Sequence, residues 1–274
     1  MTTNTIPDAV APKGSGDFKG GHYYGHDGEK WLPLYAPDKD FTLRQARKLQ
    51  AEGKSAVPSV TTYIGAMSKP QLDTWKQENV AKAAFNSLSN AAAQASEEIW
   101  TDHCLAIASG ASRGAMDLGS RIHKAIEDAV GGHDYDASLD IYVQAVMTER
   151  ERLGIKDSVQ EQCIGSTKYG YAGRADDLSA GMTVTDYKSR KSKGKKVASY
   201  RESDDLQGAS YGYARWGNEF FRTGRLHIFG ISTTEPGLVT VHSTEGKDLI
   251  PAFEAFLSLT AVWRYANNFD PRTK

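Results

Sequence analysis

Cysteine is scarce in this chain. Cys104 and Cys163 are the only two among 274 residues. They form no CxxC pair and no metal-ligand spacing, which excludes a disulfide-stapled secreted scaffold and a zinc module. They read instead as free thiols in a reducing compartment. Long apolar runs are missing as well, and no stretch approaches the length of a membrane span. The first residues lack the basic-then-apolar pattern of a secretion signal, so a cytoplasmic location without a membrane partner is the expectation. Charge of one sign is also lacking: Lys and Arg total 33 against 34 Asp and Glu, a formal net charge of −1. No global positive field advertises a nucleic-acid partner, so any such contact must rest on local patches. The chain carries no internal repeat and no Walker-type phosphate loop, so any unwinding of a duplex falls to a partner protein.

What is present reads as an α/β protein of one large domain, or a core with a helical elaboration. Residues 1–20, rich in Gly, Pro, Thr and Lys, read as a mobile N-terminus. Residues 21–110 read as an N-terminal hairpin followed by a helical elaboration, and 111–274 as the core. His22 to Tyr35 suits a hairpin turned at Asp27-Gly28. Thr42 suits the cap of a helix over Leu43–Glu52 that Gly53 ends. Val57-Pro58-Ser59-Val60-Thr61-Thr62-Tyr63-Ile64 leads through Lys69-Pro70 into a helix carrying Leu72 and Trp75. The alanine-rich stretch from Gln71 to Ser109 reads as two helices, and Gly110–Gly114 as a break. A further helix over Ala115–Val130 carries the stripe Leu118, Ile122, Ile126 and Val130, with His123 and Glu127 together at its edge. An amphipathic helix follows over Tyr142–Leu153. Ser158–Ile164 reads as a strand with Glu161 among apolar neighbours, where a half-buried carboxylate needs a partner or a metal. Ser203 suits the cap of a helix that places Gln207 and Tyr211 on one face. Strands over Arg225–Thr233 and Leu238–His242 precede a last helix, Lys247–Asn267, that is expected to cover the sheet.

The chemistry concentrates between Tyr169 and Lys188. This stretch reads as two strands joined at Ser179-Ala180-Gly181. Alternation puts Met182, Val184, Asp186 and Lys188 on one face of the second strand, and Ala172, Asp176 and Leu178 on one face of the first, with Asp177 pointing away. An antiparallel hairpin brings Asp176 towards Asp186. Two carboxylates beside a lysine suit a hard cation such as magnesium or manganese. Taken alone, an Asp-x-Lys tripeptide is also an ordinary pair of surface charges.

Four motifs stand in order over about 90 residues: His123 on a helix, Gly173-Arg174-Ala175-Asp176, Asp186-Tyr187-Lys188, and Gln207-Gly208-Ala209-Ser210-Tyr211. The set resembles the PD-(D/E)xK nuclease superfamily, and within it the RecB-type nuclease domains. The Pro58-Ser59-Val60-Thr61 segment and the Leu72-x-x-Trp75 helix resemble the mitochondrial genome maintenance exonucleases and related viral exonucleases. With these the resemblance spans about residues 57 to 265. It implies a restriction-endonuclease-like mixed sheet flanked by helices. It implies Asp176 and Asp186 as metal ligands, His123 supporting or ligating the metal, and Glu161 as a further acid. Lys188, Gln207 and Tyr211 would belong to the catalytic face. Glu127 is open between a site acid and a simple helix-face partner. Some relatives carry four cysteines around an iron–sulfur cluster; two isolated cysteines cannot supply four ligands, so no cluster is expected.

The activity implied is metal-dependent hydrolysis of DNA, as an exonuclease on a single-stranded or free end, in recombination, repair or replication, with a recombination or replication protein as a further partner. Lys188 would orient or deprotonate a water, or meet the transition-state charge. A restriction-type endonuclease, and a DNA-end-binding module without catalysis, are the alternatives. Beyond Lys188 the chain continues Ser189 to Lys196, and six of the nine residues from Lys188 to Lys196 are basic. Arg190, Lys191, Lys193, Lys195 and Lys196 are candidates for phosphate contact, with Tyr211 beside them; a solvated charged loop is the other reading of that run.

Overall fold

The structure is a computed structural model describing residues 23–34, 41–67, 70–87, 96–194, 196–197 and 202–272. The expectations for residues 1–20, for Lys195 and for the side chains of Leu72, Trp75 and Lys193 lie outside the described residues. The chain divides into two compact units. One combines the chain up to Met67 with His123–Lys274, and the other is Ser68–Ile122.

The first unit opens with a hairpin, β1 (Tyr23–His26) and β2 (Trp31–Pro33). Its turn is held by Asp27 Oδ1, which accepts the Glu29 and Lys30 N–H groups at 2.9 and 2.8 Å. Helix α1 (Leu43–Ala51) starts at a capping box between Thr42 and Gln45, so orphan N–H groups at its start find side-chain acceptors. β3 (Val57–Pro58) then joins β1, giving a small antiparallel sheet of order β2-β1-β3. Ser59 ends that strand and caps α2 (Val60–Ile64), its hydroxyl accepting Thr62 N–H at 3.0 Å.

In the second unit, α3 covers Pro70–Asn86. Helix α4 runs from Glu97 to Val130 and crosses from the second unit into the first. The expected break at Gly110–Gly114 does not occur. A helical glycine costs about 1 kcal/mol against alanine, and the helix-favouring residues on either side carry the turn through.

The main sheet follows α5 (Asp140–Leu153). Its strands are β4 (Val159–Ser166), β5 (Tyr171–Ser179) and β6 (Thr183–Arg190), then, beyond the ribbon β7 (Ser192–Lys193) and β8 (Lys196–Val197), β9 (Arg225–Ser232) and β10 (Val239–Glu245). The order is β10-β9-β6-β5-β4. Three neighbouring pairs are antiparallel, and β6 with β9 is parallel. A parallel pair needs a crossover, and α6 (Glu202–Trp216) with the short α7 (Phe220–Thr223) supplies it. Helix α8 (Ile250–Asn267) closes the unit. Leu206 and Ala209 of α6 and Phe253 and Phe256 of α8 bury Val184, Leu226 and Ile228 on one face of the sheet. The helix α5 covers the other face, through Arg150. The fold is therefore mixed α/β, with a five-stranded mixed sheet between helices. Among the described residues no helix is long and apolar enough to cross a membrane.

Three local expectations need correction. Met182 is in the turn and not on the strand: its φ is 56° beside Gly181 at 74°, and Ser179↔Thr183 closes a three-residue loop. Ser203 lies inside α6, which already begins at Glu202. Ala172 does not share a face with Leu178; it packs with Tyr24, Trp31 and Val57, whereas Leu178 belongs to the core under α6 and α8. The reason is a break in alternation on β5. In a regular strand Gly173 and Asp177 would point the same way. Here a Cβ on Gly173 would meet Tyr211 of α6, while Asp177 meets Arg150 of α5. The break falls at Asp176 and at Glu161 opposite it. These two are skipped between the pairs Gln162↔Ala175 and Gln160↔Asp177, and Glu161 has a left-handed φ of 53°.

Candidate active site

Backbone pairing between β5 and β6 stops at Asp177↔Thr185. One step further, where Asp176 would face Asp186, the strands part. The Asp176 carboxylate fills the gap: its Oδ2 accepts the Tyr187 N–H at 3.0 Å. That oxygen also lies 3.7 Å from Nδ1 of His123 on α4. The parting therefore lets the Asp176 carboxylate take a backbone N–H of β6 that a continued ladder would pair with backbone.

Asp186 is 2 % exposed. Lys188, two residues along and on the same face, donates to its Oδ1 at 2.9 Å. The ammonium is also 2.7 Å from Oδ2, but no aligned donor serves that atom, which is buried without a hydrogen bond. Lys188 Nζ reaches Oε1 of Gln207 at 3.2 Å, and Gln207 Nε2 stands 3.4 Å from the Tyr211 hydroxyl. Gln207 and Tyr211 share a face of α6 because they are four residues apart. The Tyr211 ring fits only because residue 173 has no side chain: a Cβ there would come within 2.7 Å of its Cε1. The glycine of Gly173-x-x-Asp176 and the tyrosine of Gln207-x-x-x-Tyr211 are thus two halves of one packing contact.

The electrostatics follow from this crowding. Burial pushes the Asp186 pKa up to about 7; Asp176 adds to the shift and Lys188 opposes it. Burial likewise raises Glu161 to about 7, helped by Asp176 and opposed by Arg174. Arg174 Nε lies 2.6 Å from Glu161 Oε2. Burial lowers the His123 pKa, with Asp176 pulling the other way and Lys188 adding to the depression. For Lys188 itself, burial works against the charge, but Asp186 and Asp176 outweigh it and the pKa is raised. Glu127 is occupied by Lys124, 3.2 Å away on its own helix.

The structure thus brings His123, Asp176, Asp186, Lys188, Gln207 and Tyr211 together, with Glu161 at the side of Asp176. A hard divalent cation fits this donor set. Asp186 Oδ2 is buried and accepts no aligned hydrogen bond although the Lys188 ammonium lies beside it, Asp176 has a second oxygen, and Glu161 and the His123 imidazole could add further donors. Among the described residues no three such side chains stand in ligating geometry, and Asp186 is paired with Lys188.

The basic run is only partly beside this group. Arg190 is ion-paired with the buried Asp204 near the start of α6, so its charge is engaged. Lys191 and Lys196 are exposed. The ribbon β7–β8 is tied to the β9–β10 connection through Thr234, 2.8 Å from the Ser192 hydroxyl, and to β10 through Thr240, which accepts Val197 N–H at 3.3 Å.

Sequence reasoning missed the face opposite the site. Register sets Gln160, Asp177, Thr185, His227 and Ser243 in one row across all five strands. Asp177, Thr185 and His227 are buried, and His227 Nδ1 lies 2.7 Å from the Ser243 hydroxyl. Arg150 Nη1 donates to both Asp177 Oδ2 and the Tyr187 hydroxyl, and its Nη2 donates to Ser158 Oγ at 2.7 Å. One signal was available: two adjacent aspartates on a strand must point to opposite faces, so Asp177 required a cation on the far side.

A scan against protein-family models finds no match for the chain, and a search of curated proteins returns no similar sequence.

Proposed function

We propose that this protein is a Mg²⁺- or Mn²⁺-dependent deoxyribonuclease of the PD-(D/E)xK superfamily, RecB type, built on a restriction-endonuclease-like core. One observation carries the reading: Asp176, Asp186 and Lys188, with Gln207 and Tyr211 behind them, converge where β5 and β6 part. Asp176, Asp186 and, beside them, His123 and Glu161 would hold the metal. Bound there, the metal would polarise a phosphoryl oxygen and lower the pKa of a water. The chain's own residues do the rest. Lys188 brings a positive charge to where phosphate charge develops, or orients the attacking water. Gln207 positions Lys188 through its amide oxygen, and Tyr211 buttresses Gln207. For the metal to enter, Asp186 must be shared between it and Lys188, so the ion pair is a resting arrangement of the site.

The substrate proposed is linear DNA with a free, single-stranded end, processed as an exonuclease in recombination, repair or replication in the cytoplasm. This mode rests on the resemblance of Pro58-Ser59-Val60-Thr61 and the Leu72-x-x-Trp75 helix to the related exonucleases. Exposed Lys191 and Lys196 support backbone contact without base readout. The test is digestion of 5′- and 3′-labelled linear DNA beside a closed single-stranded circle, with either metal. Loss of the linear form and survival of the circle is the expected result. Cutting of the circle at the linear rate would make the protein an endonuclease. Binding of ends without cutting would make it an end-binding module.

A further inference from the structure

The parted strands raise a question of mechanics. Beyond Asp177↔Thr185 no backbone pair holds β5 to β6 among the described residues, yet the groups that must keep a fixed separation, Asp176 and Asp186, lie just past that point. On the site face the strands are crosslinked by the Tyr187 N–H, which donates to Asp176 Oδ2 at 3.0 Å. On the far face one guanidinium replaces the missing ladder. Arg150 Nη1 donates to Asp177 Oδ2 on β5 and to the Tyr187 hydroxyl on β6, and the Tyr187 hydroxyl donates to the same Asp177 oxygen at 3.2 Å. Ser158 Oγ, just before β4, accepts from Nη2 at 2.7 Å. Arg150, Asp177 and Tyr187 are each no more than 4 % exposed.

The chain positions of these residues matter. Asp177 directly follows Asp176, and Tyr187 lies between Asp186 and Lys188. Fixing Asp177 and Tyr187 from behind therefore fixes the backbone that carries Asp176, Asp186 and Lys188 in front. We infer that Arg150, with Asp177 and Tyr187, is a positioning clamp that sets the separation of the two site carboxylates from the opposite face of the sheet. Arg150 acts through its neighbours and touches no reacting group. A lysine is a poor substitute, because a single ammonium cannot present the planar fork that spans Asp177, Tyr187 and Ser158. The clamp takes its functional meaning from the reading of Asp176 and Asp186 as metal-holding groups, but its mechanical part stands by itself.

Tyr187→Phe tests it with one atom removed and the Arg150–Asp177 pair intact. Arg150→Met with Asp177→Leu removes the pair as a whole and avoids leaving one charge buried alone. Two readouts apply to each variant: amide exchange of the β6 segment 184–189 by mass spectrometry, and Mn²⁺ affinity by paramagnetic resonance. Exchange in 184–189 should quicken on the order of tenfold while α6 and α8 keep wild-type rates. Mn²⁺ should bind about 10- to 100-fold more weakly, the scale typical of residues that orient ligands. Wild-type exchange in 184–189 would overturn the clamp, and so would acceleration spread equally over α6 and α8, which marks a stabilising role only. A wild-type protein that binds no Mn²⁺ and cuts no DNA would sink the nuclease reading instead, and the exchange arm would still decide the clamp.

Discussion

Asp186 and Lys188 show how alternation on one strand can assemble a buried ion pair. Two residues apart, both side chains leave the same face, and α6 closes over them with Gln207. On the proposed nuclease reading, Asp186→Ala and Asp176→Asn should each lower cleavage by at least about 10²-fold, since each removes charge that would stabilise the transition state directly or through a bound metal. Circular dichroism should still show a folded protein and DNA binding should persist, although Asp186→Ala leaves Lys188 without its buried partner and should cost some stability. Near-wild-type turnover in either variant would remove that residue from the site. His123→Ala is expected to cost about 10- to 100-fold, and more with magnesium than with manganese. Magnesium sheds its waters reluctantly and depends most on a well-ordered set of donors. A variant that loses stability but keeps its specific activity would make His123 a packing residue. At this scale spacing alone gave Asp176, Asp186 and Lys188, and the family resemblance added His123, Gln207 and Tyr211, which do lie together. Arg150 was not legible, because its role depends on which helix lies behind the sheet. At the end of α5 it reads as an ordinary cation favoured near a helix C-terminus.

At the level of elements, the packing of β5 against α6 depends on Gly173. Gly173→Ala would put a Cβ 2.7 Å from Tyr211 Cε1 and 2.9 Å from its hydroxyl. The ring must shift, at a cost of about 1–3 kcal/mol typical of overpacking. Urea denaturation should register the loss, and cleavage should fall with it through Gln207; an unchanged midpoint would show that the ring yields freely. The row on the other face carries a pH dependence. Burial and the nearby Arg225 and Arg152 push His227 down to about 4 from its usual 6.5. Between those two values the unfolded chain binds a proton that the folded chain refuses, so stability falls as pH drops from 6.5 to 4, by up to about 3 kcal/mol. Comparing wild type with His227→Gln isolates this contribution from other titrating groups. The variant should lose less stability over that window, and an equal loss would show that His227 is protonated at no cost. The elements themselves were largely legible: hairpin, capped α1, the β4–β6 run and the closing helix follow from period and caps. The break in alternation at Asp176 and Glu161 was not. A left-handed glutamate in a strand has no composition signal, and the phase on either side is set by α5, α6 and α8 pulling on opposite faces. The uninterrupted α4 was hidden for the converse reason, since glycines mark a break only where the flanks are weak.

For the whole molecule, near-neutral net charge means that any attraction to DNA must be local. Replacing Lys191, Lys193, Lys195 and Lys196 by Ala should weaken binding to all sequences alike. It should also flatten the salt dependence, by roughly 0.7 in log–log slope for each single-strand phosphate that is no longer neutralised. An unchanged slope would leave the run as a solvated loop. Arg190 should behave differently, because its partner Asp204 is buried at the start of α6. Arg190→Ala would strip that carboxylate of its guanidinium, and stability should fall before affinity does.

The most direct test of the account is cleavage of end-labelled linear single-stranded DNA by wild type and Asp186→Ala, with EDTA, Mg²⁺ or Mn²⁺, beside a closed circle of the same sequence. Wild type alone should degrade the linear strand, only with metal and not with EDTA, and the circle should stay intact. A wild-type protein inert with both metals, or an Asp186→Ala variant as active as wild type, would contradict it.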